Sequence, residues 1–169
     1  MDSTPPFKLA ADDLVTASWL YMRQGLARPR VLVSWLVLWA CFLAFIIFVN
    51  GGPATRPEQW LVLLGISLLP FAAVIAVTVI LTPITARRIF RQQRSLQGEM
   101  ALAWSDTGLH VRSEYGDFEM PWPHFVRWAE DGRSFLLFES DRLYRVVPKR
   151  VLTPDQQQSL RQFLGRIGA

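Results

Sequence analysis

The chain has 169 residues, 51% of them hydrophobic, and a formal charge of +4. Residues 95–169 hold nine Lys/Arg against ten Asp/Glu, so a basic domain seeking nucleic-acid phosphates is excluded as an expectation. The lone Cys41 leaves no partner for an internal disulfide and no thiolate set for a metal, and no cofactor is expected.

Residues 1–30 read as an N-terminal strand and a pre-membrane helix. Phe7-Lys8-Leu9 can add a strand to a later sheet. Asp12 or Asp13 can cap a helix from Leu14 to Leu26, lying along the membrane or joining the first apolar run. A cleavable signal peptide is not expected, because that run begins after Asp12 and Asp13 and no small-x-small site precedes a soluble remainder.

Two uncharged runs come next, residues 31–49 and 60–86, joined by a loop at 50–59. Nineteen helical residues reach roughly 28 Å, close to the hydrocarbon thickness of a bilayer. Both runs therefore read as transmembrane helices. Trp35, Trp39 and Trp60 are expected at the headgroup boundary, and Asn50-Gly51-Gly52-Pro53 supplies the turn. Pro70 and Pro83 interrupt the second run, which should kink, tilt or leave the bilayer near Thr82-Pro83. The hydroxyls of Thr78, Thr82 and Thr85 can bond the backbone locally or reach the other helix.

Basic residues flank the pair: Arg23, Arg28 and Arg30 before it, Arg87, Arg88, Arg91 and Arg94 after it, and only Arg56 between. The positive-inside rule then puts both termini in the cytoplasm of an inner-membrane, multi-pass protein. Residues 87–98 form a basic connector. On a helix Arg87, Arg91 and Arg94 share a face, with Arg88 beside them. Such a face suits anionic lipid headgroups at about 1 kcal/mol per charge; ordinary positive-inside anchoring is the competing reading.

From residue 99 the hydrophobic period becomes two. Met100, Leu102 and Trp104 alternate, then Leu109 and Val111, then Phe118, Met120 and Trp122, with turns at Ser105-Asp106-Thr107-Gly108 and Tyr115-Gly116-Asp117. Pro123 removes a ladder donor and should end or bulge the third strand. Val126 and Trp128 come after it. Phe135-Leu136-Leu137-Phe138 is apolar on both faces, as a central strand would be, and 143–147 closes an antiparallel meander. Thr153, Pro154 and Gln156 start a final helix as a capping box with Pro at N1, and Leu160, Phe163, Leu164 and Ile167 line one of its faces. The expected fold is an α+β membrane protein: a two-helix transmembrane hairpin plus an antiparallel β-meander in a cytoplasmic domain, residues 99–169, capped by a C-terminal helix.

The turn Ser105-Asp106-Thr107-Gly108-Leu109, Met120-Pro121-Trp122 before Phe125-Val126, Phe135-Leu136-Leu137-Phe138, and Val147-Pro148-Lys149-Arg150 resemble the YcxB-like family of bacterial membrane proteins. The opening Phe7-Lys8-Leu9 with Asp12-Asp13 resembles it too. The resemblance implies two spans, a basic connector, a five-strand meander and a terminal helix, similar in layout to pleckstrin-homology-like (PH-like) modules on membrane anchors. It implies a scaffold or binding module rather than a catalyst.

No phosphate-cradling glycine loop, nucleophile elbow or metal-ligand spacing is present in the sequence. His110 and His124 lie on or beside strands, where a dyad with Asp117 or Glu119 is conceivable but a surface role is commoner. Pro148-Lys149-Arg150 with Arg145 forms a basic corner, so Arg145, Lys149 and Arg150 are candidates for a partner's acidic or phosphate groups. The functional expectation is a non-catalytic, membrane-anchored binding or scaffold module. Its partners would be the bilayer, with anionic lipids, and a protein partner or a second copy. The alternative is a subunit of an oligomeric transporter or channel, against which stands the absence of charge within either run.

Overall fold

The computed structural model describes residues 2–53 and 55–167. Residue 54 of the expected loop and residues 168–169 of the expected tail lie outside them. The chain divides into two units, Met22–Thr82 and, together, Met1–Tyr21 with Pro83–Ala169.

The first unit is the hairpin. Helix α2 spans Pro29–Val49, and α3 spans Pro57–Gln92 without interruption at Pro70 or Pro83. Gly51 and Gly52 turn the chain at φ 81° and 135°, a region open to glycine at little cost. The side-chain carbonyl of Gln59 then accepts from the backbone N–H groups of Thr55 and Arg56 at the start of α3. Trp35 and Phe42 pack on Phe71, with ring centroids 5.5 and 6.4 Å apart. Trp39 Nε1 donates to Ser67 Oγ at 3.1 Å, and Ser67 is fully buried.

Trp35 and Trp39 therefore join the two helices. Paired this way, the indole N–H is satisfied inside apolar surroundings. Two of the threonines bond locally: Thr78 Oγ1 donates to Val74 O and Thr82 Oγ1 to Thr78 O, at 2.8 and 2.7 Å, with Thr82 Oγ1 also 3.9 Å from Met22 Sδ. The outward faces are apolar and open, Phe48 being 81% and Leu61 74% exposed. A core helix of a soluble protein would be mostly covered; here the apolar stretches are 0% and 6% buried. Apolar surface on this scale needs a bilayer or a partner. The protein is membrane-associated.

The second unit is built on two antiparallel sheets. In one, β1 (Asp2–Ser3) and β2 (Phe7–Lys8) both pair with β3 (Glu99–Trp104), followed by β4 (Gly108–Ser113) and β5 (Gly116–Pro121). The other runs β6 (Arg127–Glu130), β7 (Ser134–Phe138), β8 (Tyr144–Pro148). The expected five-strand meander is thus six strands in this region, broken into two sheets. The break is the 3-10 turn Trp122–His124, where Pro123 cannot donate to a ladder. At Gly108 the backbone of β5 passes so close that a Cβ would lie 2.3 Å from Met120 O.

The sheets enclose Leu102, Trp104, Leu109, Phe135, Leu137 and Val147. Helix α4 (Pro154–Leu164) closes this core with Leu160 and Leu164, after the expected reciprocal bonds between Thr153 and Gln156. Each such fully buried apolar side chain contributes roughly 1.5–3 kcal/mol.

Helix α1 (Ala11–Leu26) buries Ala17 and Leu20 on the other face of the second sheet, against Ala129, Leu136 and Phe138. Tyr21 stacks on Tyr144 at 5.4 Å. Up to Tyr21, then, α1 belongs to the β domain, and that explains why every residue of β7 is buried. Asp13 caps α1 from inside its first turn: Oδ2 accepts from the N–H of Ala10 at 2.8 Å.

Candidate functional site

A cleft of about 620 Å³ opens in the β domain. Its floor is the inner face of the first sheet, with Leu102, Leu109 and Val111. One wall is β8. That strand lines the cleft with Tyr144 and Val146 from one face and Arg145 and Val147 from the other, so the cleft runs along its unpaired edge. Leu14 and Ser18 of α1, Ala86 and Ile89 of α3, and Gln93 just beyond it add to the lining.

The interior is buried and apolar, whereas the lips Ile89, Tyr115, Phe118 and Leu143 are exposed. Phe118 sits in register with Val111, and Val111 with Leu102. It therefore continues the core-facing stripe, yet nothing covers it because the second sheet stops at β8.

Glu139, Arg142, Tyr144 and Arg145 are among the polar residues that line the cleft. Arg145 Nε donates to Glu139 Oε1 at 2.6 Å, which neutralises both. Arg142 has no side-chain partner among the described residues, and its backbone N–H is held by Ser140 Oγ. Burial pushes the Tyr144 phenol above its ordinary value, opposed by its hydrogen bond with Ser18. At neutral pH this phenol stays uncharged.

The basic corner behaves differently from its appearance in sequence. Lys149 is largely buried; its Nζ reaches Glu130 Oε1 at 2.5 Å and also donates to the carbonyl of Asp131. Arg161 grips the same Glu130 through Nη2 at 2.7 Å. The Arg161 bond, then that of Lys149, holds the Glu130 carboxyl below the usual carboxylate range against the opposing effect of burial. Arg150 binds Asp13 and the carbonyl of Lys8. All three candidate cations, Arg145, Lys149 and Arg150, thus carry internal carboxylate partners; they hold the domain together and do not form a free patch.

The membrane-edge arginines divide. Arg87 pairs with Asp12 at 3.3 Å on the surface. Helix α3 ends at Gln92 and Gln93 is extended, so Arg94 falls in a separate 3-10 turn, off the face that Arg87 and Arg91 share. Arg88, Arg91 and Arg94 are exposed and have no side-chain partner among the described residues. His110 faces Glu119 across β4 and β5 at 3.3 Å, and His124 lies 3.8 Å from Glu139. Neither histidine lines the cleft. Among the described residues no group of three His, Cys, Asp or Glu could hold a metal.

Sequence reasoning missed the cleft, the long-range ion pairs of Asp13 and Glu130, and Phe118 and Leu143 as two of the four lips. Phe118 left a signal as the continuation of an inward stripe, and Asp13 one as a helix cap.

With this geometry in place, comparison with known proteins finds a similarity in one segment. The YcxB-like protein family model matches residues 104–164, about a third of the chain. No curated protein and no solved structure matches the chain. The matched segment runs from the end of β3 to the end of α4 and contains all of the second sheet. It holds the β8 wall of the cleft and the lips Tyr115, Phe118 and Leu143, together with Arg142. The N-terminal strands, α1 and both apolar helices lie outside the YcxB-like match.

Proposed function

We propose that this protein is a membrane-anchored, non-catalytic binding module that presents a PH-like β domain at the cytoplasmic face of the inner membrane. The observation that carries the reading is the composition of the β domain. Residues on both sides of the hairpin build it: β1 and β2 pair with β3, and Arg150 reaches back to Asp13. Segments that share one sheet lie on one side of a bilayer, so the two helices between them cross and return. The arginines flanking the hairpin on that side support the cytoplasmic face for it.

The cleft supports binding rather than scaffolding alone, since it is a concave apolar site with few polar groups. The exposed Arg88, Arg91 and Arg94 supply a second, electrostatic contact to anionic lipid. A transporter subunit finds less support: neither apolar run contains a charged residue.

The test uses the full chain in its native membrane. A photo-crosslinking side chain replaces Phe118 at the cleft lip, with Arg112, on the same sheet but exposed, as control. A discrete adduct at 118 and none at 112 supports the module. Equal background labelling at both positions refutes it. Separately, impermeant thiol labelling of Arg133→Cys and Gly52→Cys in a Cys41→Ser background reads the orientation. Labelling of 133 and not of 52 in right-side-out membranes would overturn it.

A further inference from the structure

We propose that the cleft beside β8 receives the hydrocarbon chain of a single-chain amphiphile, whose anionic head is met at the mouth by Arg142. The inference rests on the binding-module reading and names its ligand class.

The cleft has the right size: about 620 Å³ lies inside the range of small-molecule cavities, roughly 300–1,000 Å³. Its walls have the right chemistry. The deep part is Leu9, Leu102, Leu109, Val111 and Val147, which offer no side-chain hydrogen bond. A peptide entering there could pair its backbone with the β8 edge alone, and its opposite N–H and C=O groups would face leucine and valine at a cost of about 1–3 kcal/mol each. A hydrocarbon chain carries no such groups.

At the entrance, Ile89, Tyr115, Phe118 and Leu143 are large apolar side chains held open to solvent, each at least 41% exposed. That arrangement loses free energy in water unless something apolar occupies it. The charge at the mouth fixes the head. Glu139 and Arg145 cancel at 2.6 Å, so Arg142 leaves the mouth with one unpaired positive charge. A carboxylate or phosphate head placed there gains a charge-assisted bond. The ligand is defined by that pairing of one acyl chain with one anionic head, whether it is a free fatty acid or a lysophospholipid from the membrane.

The full chain in phosphatidylcholine nanodiscs is irradiated with diazirine-labelled palmitate, and adducts are mapped by peptide mass spectrometry. Adducts on residues 109–118 and 142–147 are expected. Unlabelled palmitate should displace them, and its uncharged methyl ester should compete about tenfold less well. Competition by palmitate, or instead by lysophosphatidylglycerol, separates the two sources. R142Q should remove the preference for the charged competitor while leaving labelling by the chain.

Val111→Trp fills the cleft and should abolish tail labelling. Because a tryptophan there can also disturb the core, Leu143→Arg, at an exposed lip, provides a second block with the fold intact. Adducts confined to residues 31–49 and 60–86, or unchanged tail labelling in both blocking variants, overturn the proposal. If palmitate fails while the crosslinker at 118 captures a protein, the module stands and the amphiphile falls.

Discussion

Arg150 donates through Nε and Nη2 to both carboxylate oxygens of Asp13, at 3.1 and 2.6 Å, across 137 residues of sequence. Its Nη2 also reaches the carbonyl of Lys8 at 2.8 Å. One guanidinium thus ties the start of α1 and the N-terminal strand to the turn after β8. The same Asp13 caps α1, so the pair couples a local helix start to a long-range closure.

Arg150→Ala should lower the Tm of the β domain by about 4 °C, the shift expected for about 1 kcal/mol in a domain of this size. The guanidinium is about half exposed, which keeps the figure modest. A double-mutant cycle with Asp13→Asn on the full chain checks it. Additive effects would show that the pair is not coupled.

Glu130 is the acid-sensitive point of the domain. Its carboxyl is held below the ordinary value by Arg161 and Lys149, so its contribution is present above the unfolded-state pKa, near 4.5, and is lost as pH falls through the lower folded value. Glu130→Gln should therefore be less stable than the parent at pH 7. That gap should close on acidification below the usual carboxylate range. Thermal unfolding of both proteins from pH 7 to pH 3 measures this; a gap independent of pH contradicts it.

Gly108→Ala should cost about 2–3 kcal/mol, because its Cβ would lie 2.3 Å from Met120 O and only backbone movement can relieve that. Amide exchange should rise in β4 and β5 together. Gly132→Ala makes the control, since its Cβ meets nothing within 4 Å.

Within the hairpin, Ser67→Ala should strand the Trp39 indole N–H in apolar surroundings at a cost of about 1 kcal/mol. Trp39→Phe on top of Ser67→Ala should add less than its own single effect. Unfolding of the hairpin in micelles of one fixed detergent reports both.

How far the chain could be read in advance divides by range. The apolar runs, the Thr153–Gln156 capping box, the alternation through Phe118 and Met120, and the stop at Pro123 were all legible, because composition, capping and a missing N–H act within a few residues. Even the two-sided apolar character of 135–138 was visible. Its cause was not: that requires α1, more than a hundred residues earlier, to cover the far face. Lys149 misled for the same reason. A lysine after a proline resembles a solvated turn. Only a partner distant in sequence, Glu130, decides otherwise.

By itself, then, the sequence determined where apolar surface must be hidden from water: two runs that need a bilayer or a partner, and strands and a helix requiring a shared core. Hydrophobic periodicity encodes this directly, one face at a time. The tertiary structure decided which faces meet and which charges cancel. It brought residues 2–21 and 83–167 into one domain, committed Arg145, Lys149 and Arg150 to internal carboxylates, and left Arg142 beside a cleft where one sheet outruns the other. Pairing and packing are set by geometry across the whole chain, and no local window contains it.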